Sequence, residues 1–61
     1  MINVGDKVII NFKGKRRDKS YNGIVIALVL NDYLIYSNGF TCLYSKSSRH
    51  YKVEKLGEDN G

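Results

Sequence analysis

A small closed β-barrel of five antiparallel strands is the fold this sequence predicts, and three observations predict it. Residues 22–31, Asn-Gly-Ile-Val-Ile-Ala-Leu-Val-Leu-Asn, hold the longest apolar run in the chain. Its β-branched residues favour strand over helix. Shorter stretches on either side alternate apolar and polar residues with period two, the pattern of half-buried strands. Asn-Gly and Asn-Asp steps punctuate the chain where tight turns are needed.

Taken in order, Val4-Gly5-Asp6 reads as a turn, because Gly accepts positive φ and Asp bonds to nearby amides. Strand one follows at about 7–12, with Val8, Ile10 and Phe12 on one face and Lys7, Ile9 and Asn11 on the other. Residues 13–22, Lys-Gly-Lys-Arg-Arg-Asp-Lys-Ser-Tyr-Asn, lack apolar periodicity and read as a long exposed loop. Strand two is expected at about 23–31. It is apolar on both faces, so it is expected at the centre, buried on most of both sides or bent to serve two half-sheets. Asn31-Asp32 is the next turn, and strand three covers about 33–37. Asn38-Gly39 is the strongest hairpin signal, since a type I′ turn needs positive φ at both central positions. Strand four is expected at about 40–45, one short helical turn at 46–48, and strand five at about 49–55, with Tyr51 and Val53 facing inward. Leu56 caps the barrel, and residues 57–61 form a polar, flexible tail.

One domain of 61 residues buries only ~60% of the surface its unfolded chain exposes, so its stability is expected to be a few kcal/mol. A substrate-sized cavity does not fit beside a complete core, and any site is expected on the surface. The one cysteine, Cys42, cannot form an internal disulfide. Cys42 and His50 are too few for a protein zinc site, so no metal or other cofactor is expected. The first residues lack the basic start and apolar core of a signal peptide. The run at 24–30 falls far short of the ~20 residues a membrane helix needs. A soluble, cytoplasmic protein is the expectation.

The opening Val4-Gly5-Asp6-Lys7-Val8-Ile9-Ile10, followed by Gly23-Ile24-Val25, resembles the KOW type of SH3-like barrel. In that family a Gly-Asp start, a Val-x-Val strand and a later Gly-x-Val strand recur. The resemblance covers about residues 4–56 and implies a five-stranded antiparallel SH3-like barrel. It further implies contacts with RNA or RNA polymerase, as in ribosomal and transcription-elongation proteins. The chain departs from the pattern in the interval between its two motifs, which is longer and carries Arg-Arg-Asp-Lys in place of a compact Gly-rich turn. In style and length it also looks like small stand-alone barrels encoded by phages of Gram-positive bacteria.

Ten Lys and Arg oppose six Asp and Glu, for a net charge of +4. Lys13, Lys15, Arg16, Arg17 and Lys19 stand close together with only Asp18 against them. Such a field attracts phosphates or acidic protein surfaces, and it also keeps a small domain soluble. Tyr21 adjoins the loop, and Tyr33 and Tyr36 fall on opposite faces of strand three, so at least one is exposed. Tyrosines beside cations can stack on unpaired bases. Phe12, Phe40 and Tyr51 read as core, and Cys42 as a small core or half-buried hydrophobe. A second positive cluster holds Lys46, Arg49, His50, Lys52 and Lys55, diluted by Glu54. It merges with the first only if the fold brings strand five beside the basic loop.

The acids sit mostly in turns or the tail. A Cys42–His50 pair needs strands four and five to be neighbours and lacks an orienting third group, so no enzyme is expected. The expected function is binding of RNA or DNA, or of a nucleoprotein machine. The surface is Lys13, Lys15, Arg16, Arg17, Lys19, Tyr21, Tyr36, Arg49 and Lys52. The alternative is a phage-type modulator or inhibitor that occupies an acidic host protein, through a loop or an edge strand. A structural or oligomerisation module is the third option.

Overall fold

A computed structural model of the protein describes residues 1–57; the expected C-terminal tail lies almost wholly outside them. The chain is all-β. Five strands, β1 (Lys7–Phe12), β2 (Lys19–Val29), β3 (Asp32–Ser37), β4 (Phe40–Ser45) and β5 (Tyr51–Lys55), form one antiparallel sheet in the order β4-β3-β2-β1-β5. No helix of the described residues is long and apolar enough to cross a membrane.

The sheet curls but its backbone ladder does not close. β4 and β5 are its two edges. Side chains join them at one corner, where the Ser45 N–H donates to the Tyr51 hydroxyl at 2.7 Å and the Tyr44 and Tyr51 rings meet edge to face at 5.4 Å. The concave face carries the core: Val8, Ile10, Val25 and Ile35 are buried, and Ile2, Phe12, Tyr33, Tyr44, Tyr51 and Val53 pack around them.

β2 is the central strand, as its composition predicts, but it is not buried on both faces. Val25 is 1% exposed, whereas Ile24 is 41%, Ile26 45% and Leu28 44% exposed. Two features account for this. The register with β3 shifts between Val25 and Ala27, a bulge that breaks the alternation at Ile26. Among the described residues no second layer covers the convex face, where Ile24, Leu34, Tyr36 and Leu43 lie side by side in register.

The strand boundaries differ from expectation at β2 and β5. β2 begins at Lys19 rather than 23, so Asn22-Gly23 lies inside the strand, paired with Ile9 and Val8 of β1. β5 begins at Tyr51 rather than 49, and residues 46–47 form a turn. At the N-terminus the Asp6 carboxylate accepts the Asn3 N–H at 2.8 Å and pairs with Lys55 at 3.5 Å, which together hold its pKa below the usual 3.8. Leu56 is half-buried and its N–H donates to the Lys7 carbonyl at 2.8 Å, so the residue after β5 is tied beside β1.

The β3–β4 hairpin turns at Asn38-Gly39 with φ of 52° and 84°, as a type I′ turn requires. The β2–β3 hairpin turns one residue earlier than expected, at Leu30-Asn31, and there Leu30 adopts φ 41° while 97% exposed. Leu in this region crowds its own Cβ against the backbone and gains no packing in return. Leu30→Gly is therefore expected to stabilise the fold by about 0.5–1 kcal/mol. The measurement is a higher urea midpoint with an unchanged m-value.

Candidate nucleic-acid interface

Phe12 ends β1 on the concave face, in phase with the buried Val8 and Ile10. Pairing places Tyr51 directly opposite it on β5 and Tyr21 opposite Ile10 on β2. Phe12 thereby becomes the hub of an aromatic cluster, with ring centroids 5.7 Å from Tyr21, 5.3 Å from Tyr51 and 6.3 Å from Tyr44. Burial, and then the neighbouring Cys42, hold the Tyr44 hydroxyl above its usual pKa.

The basic loop, residues 13–18, leaves directly from this hub. Its shape comes from local chemistry. The Gly14 N–H donates to Asp18 Oδ1 at 3.2 Å, and a Cβ on Gly14 would collide with the Arg17 carbonyl. Asp18, the loop's one acid, is thus engaged in folding the loop. Among the described residues no loop cation is within salt-bridge distance of a carboxylate; the ion pair found is Lys55–Asp6. The arginines are not folded back into ion pairs there.

The result is an open cleft with an aromatic floor and a cationic rim, lined by Phe12, Lys13, Gly14, Arg17, Lys19 and Tyr21. A second shallow cleft shares Phe12 and Tyr21 and continues across the concave face to Asn38, Phe40, Cys42 and Tyr44. Tyr21, 40% exposed, stands between the two.

Of the residues singled out in the sequence, Lys13, Arg17, Lys19 and Tyr21 come together in this cleft. Lys15 and Arg16 are exposed in the loop and do not line it. Tyr36 does not join them: it pairs with Ile24 on the convex face and is 47% exposed there. Lys52 also points away from Tyr51 and Phe12, beside Asn11 in register. Arg49 is exposed in the segment before β5, and the sequence left its distance from the basic loop open. The β1–β5 pairing now brings the segments together: the Lys13 N–H donates to the His50 carbonyl at 3.0 Å. The start of the loop and the 49–50 segment are neighbours at the same end of the sheet.

Phe12 packs against the core as expected and also lines the cleft. Two residues lie elsewhere than their sequence pattern predicts. Phe40 is 73% exposed against the expectation of core, and Cys42 is exposed against the expectation of a core or half-buried place. Alternation assigns them the concave face correctly, but β4 is an edge, and no described residue closes over it. β4 and β5 lie at opposite edges, so no ladder brings Cys42 beside His50. No family model, curated protein or solved structure matches this chain.

Proposed function

We propose that the protein is a non-enzymatic module that binds single-stranded nucleic acid, RNA or DNA, across its concave face. The observation that carries this reading is the cleft in which Phe12 and Tyr21 are rimmed by Lys13, Arg17 and Lys19. Aromatic rings offer a stacking surface to any unpaired base, and cations beside them meet the phosphates that flank it. A duplex keeps its bases stacked inward and leaves the rings without a partner. The neighbouring Arg49 extends the positive field along the same end.

The test is fluorescence anisotropy with a labelled single strand and a duplex of equal length, titrated at several salt concentrations. The expected result is preference for the single strand and a log–log salt slope of about −2, as three phosphate contacts give. Arg17→Ala and Lys19→Ala are each expected to weaken binding several-fold and to make the slope shallower. Arg16→Ala, outside the cleft, has a smaller effect. Absence of binding at low salt, or equal loss for Arg16→Ala and Arg17→Ala, contradicts the reading.

A further inference from the structure

We infer that the protein self-associates through β4, which pairs antiparallel with β4 of a second copy in the register that sets Cys42 opposite the partner's Cys42. This inference is independent of the nucleic-acid reading.

The first ground is an unprotected edge. Exposed edge strands of monomers are normally blunted by charge, proline or a bulge. β4, Phe-Thr-Cys-Leu-Tyr-Ser, has no charge and no proline, and its pairing with β3 runs without a register shift. Phe40 is 73% and Leu43 56% exposed. The opposite edge is protected in the ordinary way, since β5 carries Lys52, Glu54 and Lys55.

The second ground is which edge groups are free. Ser37 and Phe40 flank the two-residue Asn38-Gly39 turn and so form a hydrogen-bonded pair. Alternation then directs the backbone groups of Phe40, Cys42 and Tyr44 toward β3, and those of Thr41, Leu43 and Ser45 outward. Two observations agree with this parity. The Ser45 N–H reaches the Tyr51 hydroxyl at 2.7 Å, and the Lys46 N–H turns inward to the Asn31 carbonyl at 2.9 Å. Ser45 is thus already engaged, while the same parity turns the N–H groups of Thr41 and Leu43 away from β3, and no loop or side-chain acceptor among the described residues meets them.

A two-fold centred on Cys42 uses those free groups and leaves the Ser45–Tyr51 bond intact. Thr41 exchanges both bonds with the partner's Leu43, and Leu43 with the partner's Thr41. Centring on Leu43 would instead require the occupied Ser45 N–H. In the first register Cys42 and the partner's Cys42 form a non-hydrogen-bonded pair with Cα atoms about 4.5 Å apart, within disulfide reach. Phe40 meets the partner's Tyr44.

Charge selects a second copy as the occupant. A chain of +4 repels itself at most surfaces. Across β4 it does not, because the strand is uncharged and antiparallel pairing sends the two basic loops to opposite ends of the joint sheet. Lys46, next to the strand, is drawn back: its Nζ lies 3.2 Å from the Leu30 carbonyl and 5.0 Å from the Tyr33 ring centroid. The two-fold is closed and self-complementary, and both concave faces lie on one side of the joint sheet.

Sedimentation equilibrium over a concentration series, with diamide oxidation of matched samples, tests this. The expected result is a reversible monomer–dimer equilibrium and efficient Cys42–Cys42 cross-linking that rises with dimer fraction. Leu43→Lys places like charges across the two-fold, and Thr41→Pro removes an N–H that the monomer does not use. Each is expected to raise the dissociation constant about tenfold or more while circular dichroism stays native. A chain that stays monomeric up to about 1 mM overturns the proposal. So does a dimer that survives Leu43→Lys, or one whose Cys42 thiols fail to cross-link.

Discussion

Gly23→Ala is expected to unfold most of the protein at room temperature. A Cβ at this position would sit 2.5 Å from Ile35 Cγ2 and 2.9 Å from the Tyr36 carbonyl oxygen, with Ser37 Cβ at 3.3 Å. Ile35 is fully buried and cannot swing aside, and the Tyr36 oxygen belongs to the backbone. β2 and β3 cross closely here, and the Ser37 hydroxyl donates to the Asn22 carbonyl at 2.6 Å to hold that approach. Prising the strands apart costs about 2–4 kcal/mol, against a total of a few kcal/mol for a domain of this size. Gly39→Ala is the contrast. Gly39 has φ 84° with nothing within 4 Å, so only backbone strain of about 1 kcal/mol opposes the methyl. Urea titrations followed by tyrosine fluorescence compare the two. Equal losses, or a native midpoint for Gly23→Ala, contradict the packing argument.

Phe12→Ala is expected to remove both stability and binding. The ring touches three tyrosines and links the core to the cleft. Its truncation is expected to cost about 3 kcal/mol, from lost transfer energy, a cavity and the aromatic contacts. Phe12→Leu separates the two roles. Leucine retains most of the buried volume and is expected to lose about 1 kcal/mol, leaving the protein folded. Without the ring the floor of the cleft no longer supports Tyr21, and affinity for a single strand is expected to fall about tenfold. Binding that is unchanged in folded Phe12→Leu would place the contact surface away from this cleft.

The two glycines also show how far local signals reach. Asn38-Gly39 reads as a type I′ turn and is one, because the conformation is set by the two residues themselves. Asn22-Gly23 carries the same dipeptide and lies inside a strand. There glycine answers a steric demand from Ile35 and Tyr36, residues remote in sequence. The same limit applies to the basic stretch. Its exposure follows from composition, but only the β1–β5 ladder, which pairs Phe12 with Tyr51, shows that the residues around 49–50 share its end of the sheet.

Five strands, the central place of β2, and the alternation of faces along β1 and at Ile24 and Val25 were legible in the sequence, because alternation and turn chemistry act over a few residues. Coverage was not legible. Whether a face is buried depends on what packs over it, and among the described residues no layer covers the convex face and no ladder closes the barrel. The tertiary structure alone decided that Phe40 and Cys42 are exposed, that Tyr36 and Tyr21 are on opposite faces, and that Lys13, Arg17, Lys19 and Tyr21 meet around Phe12. Each of these depends on strand pairing between distant segments, which no local periodicity encodes.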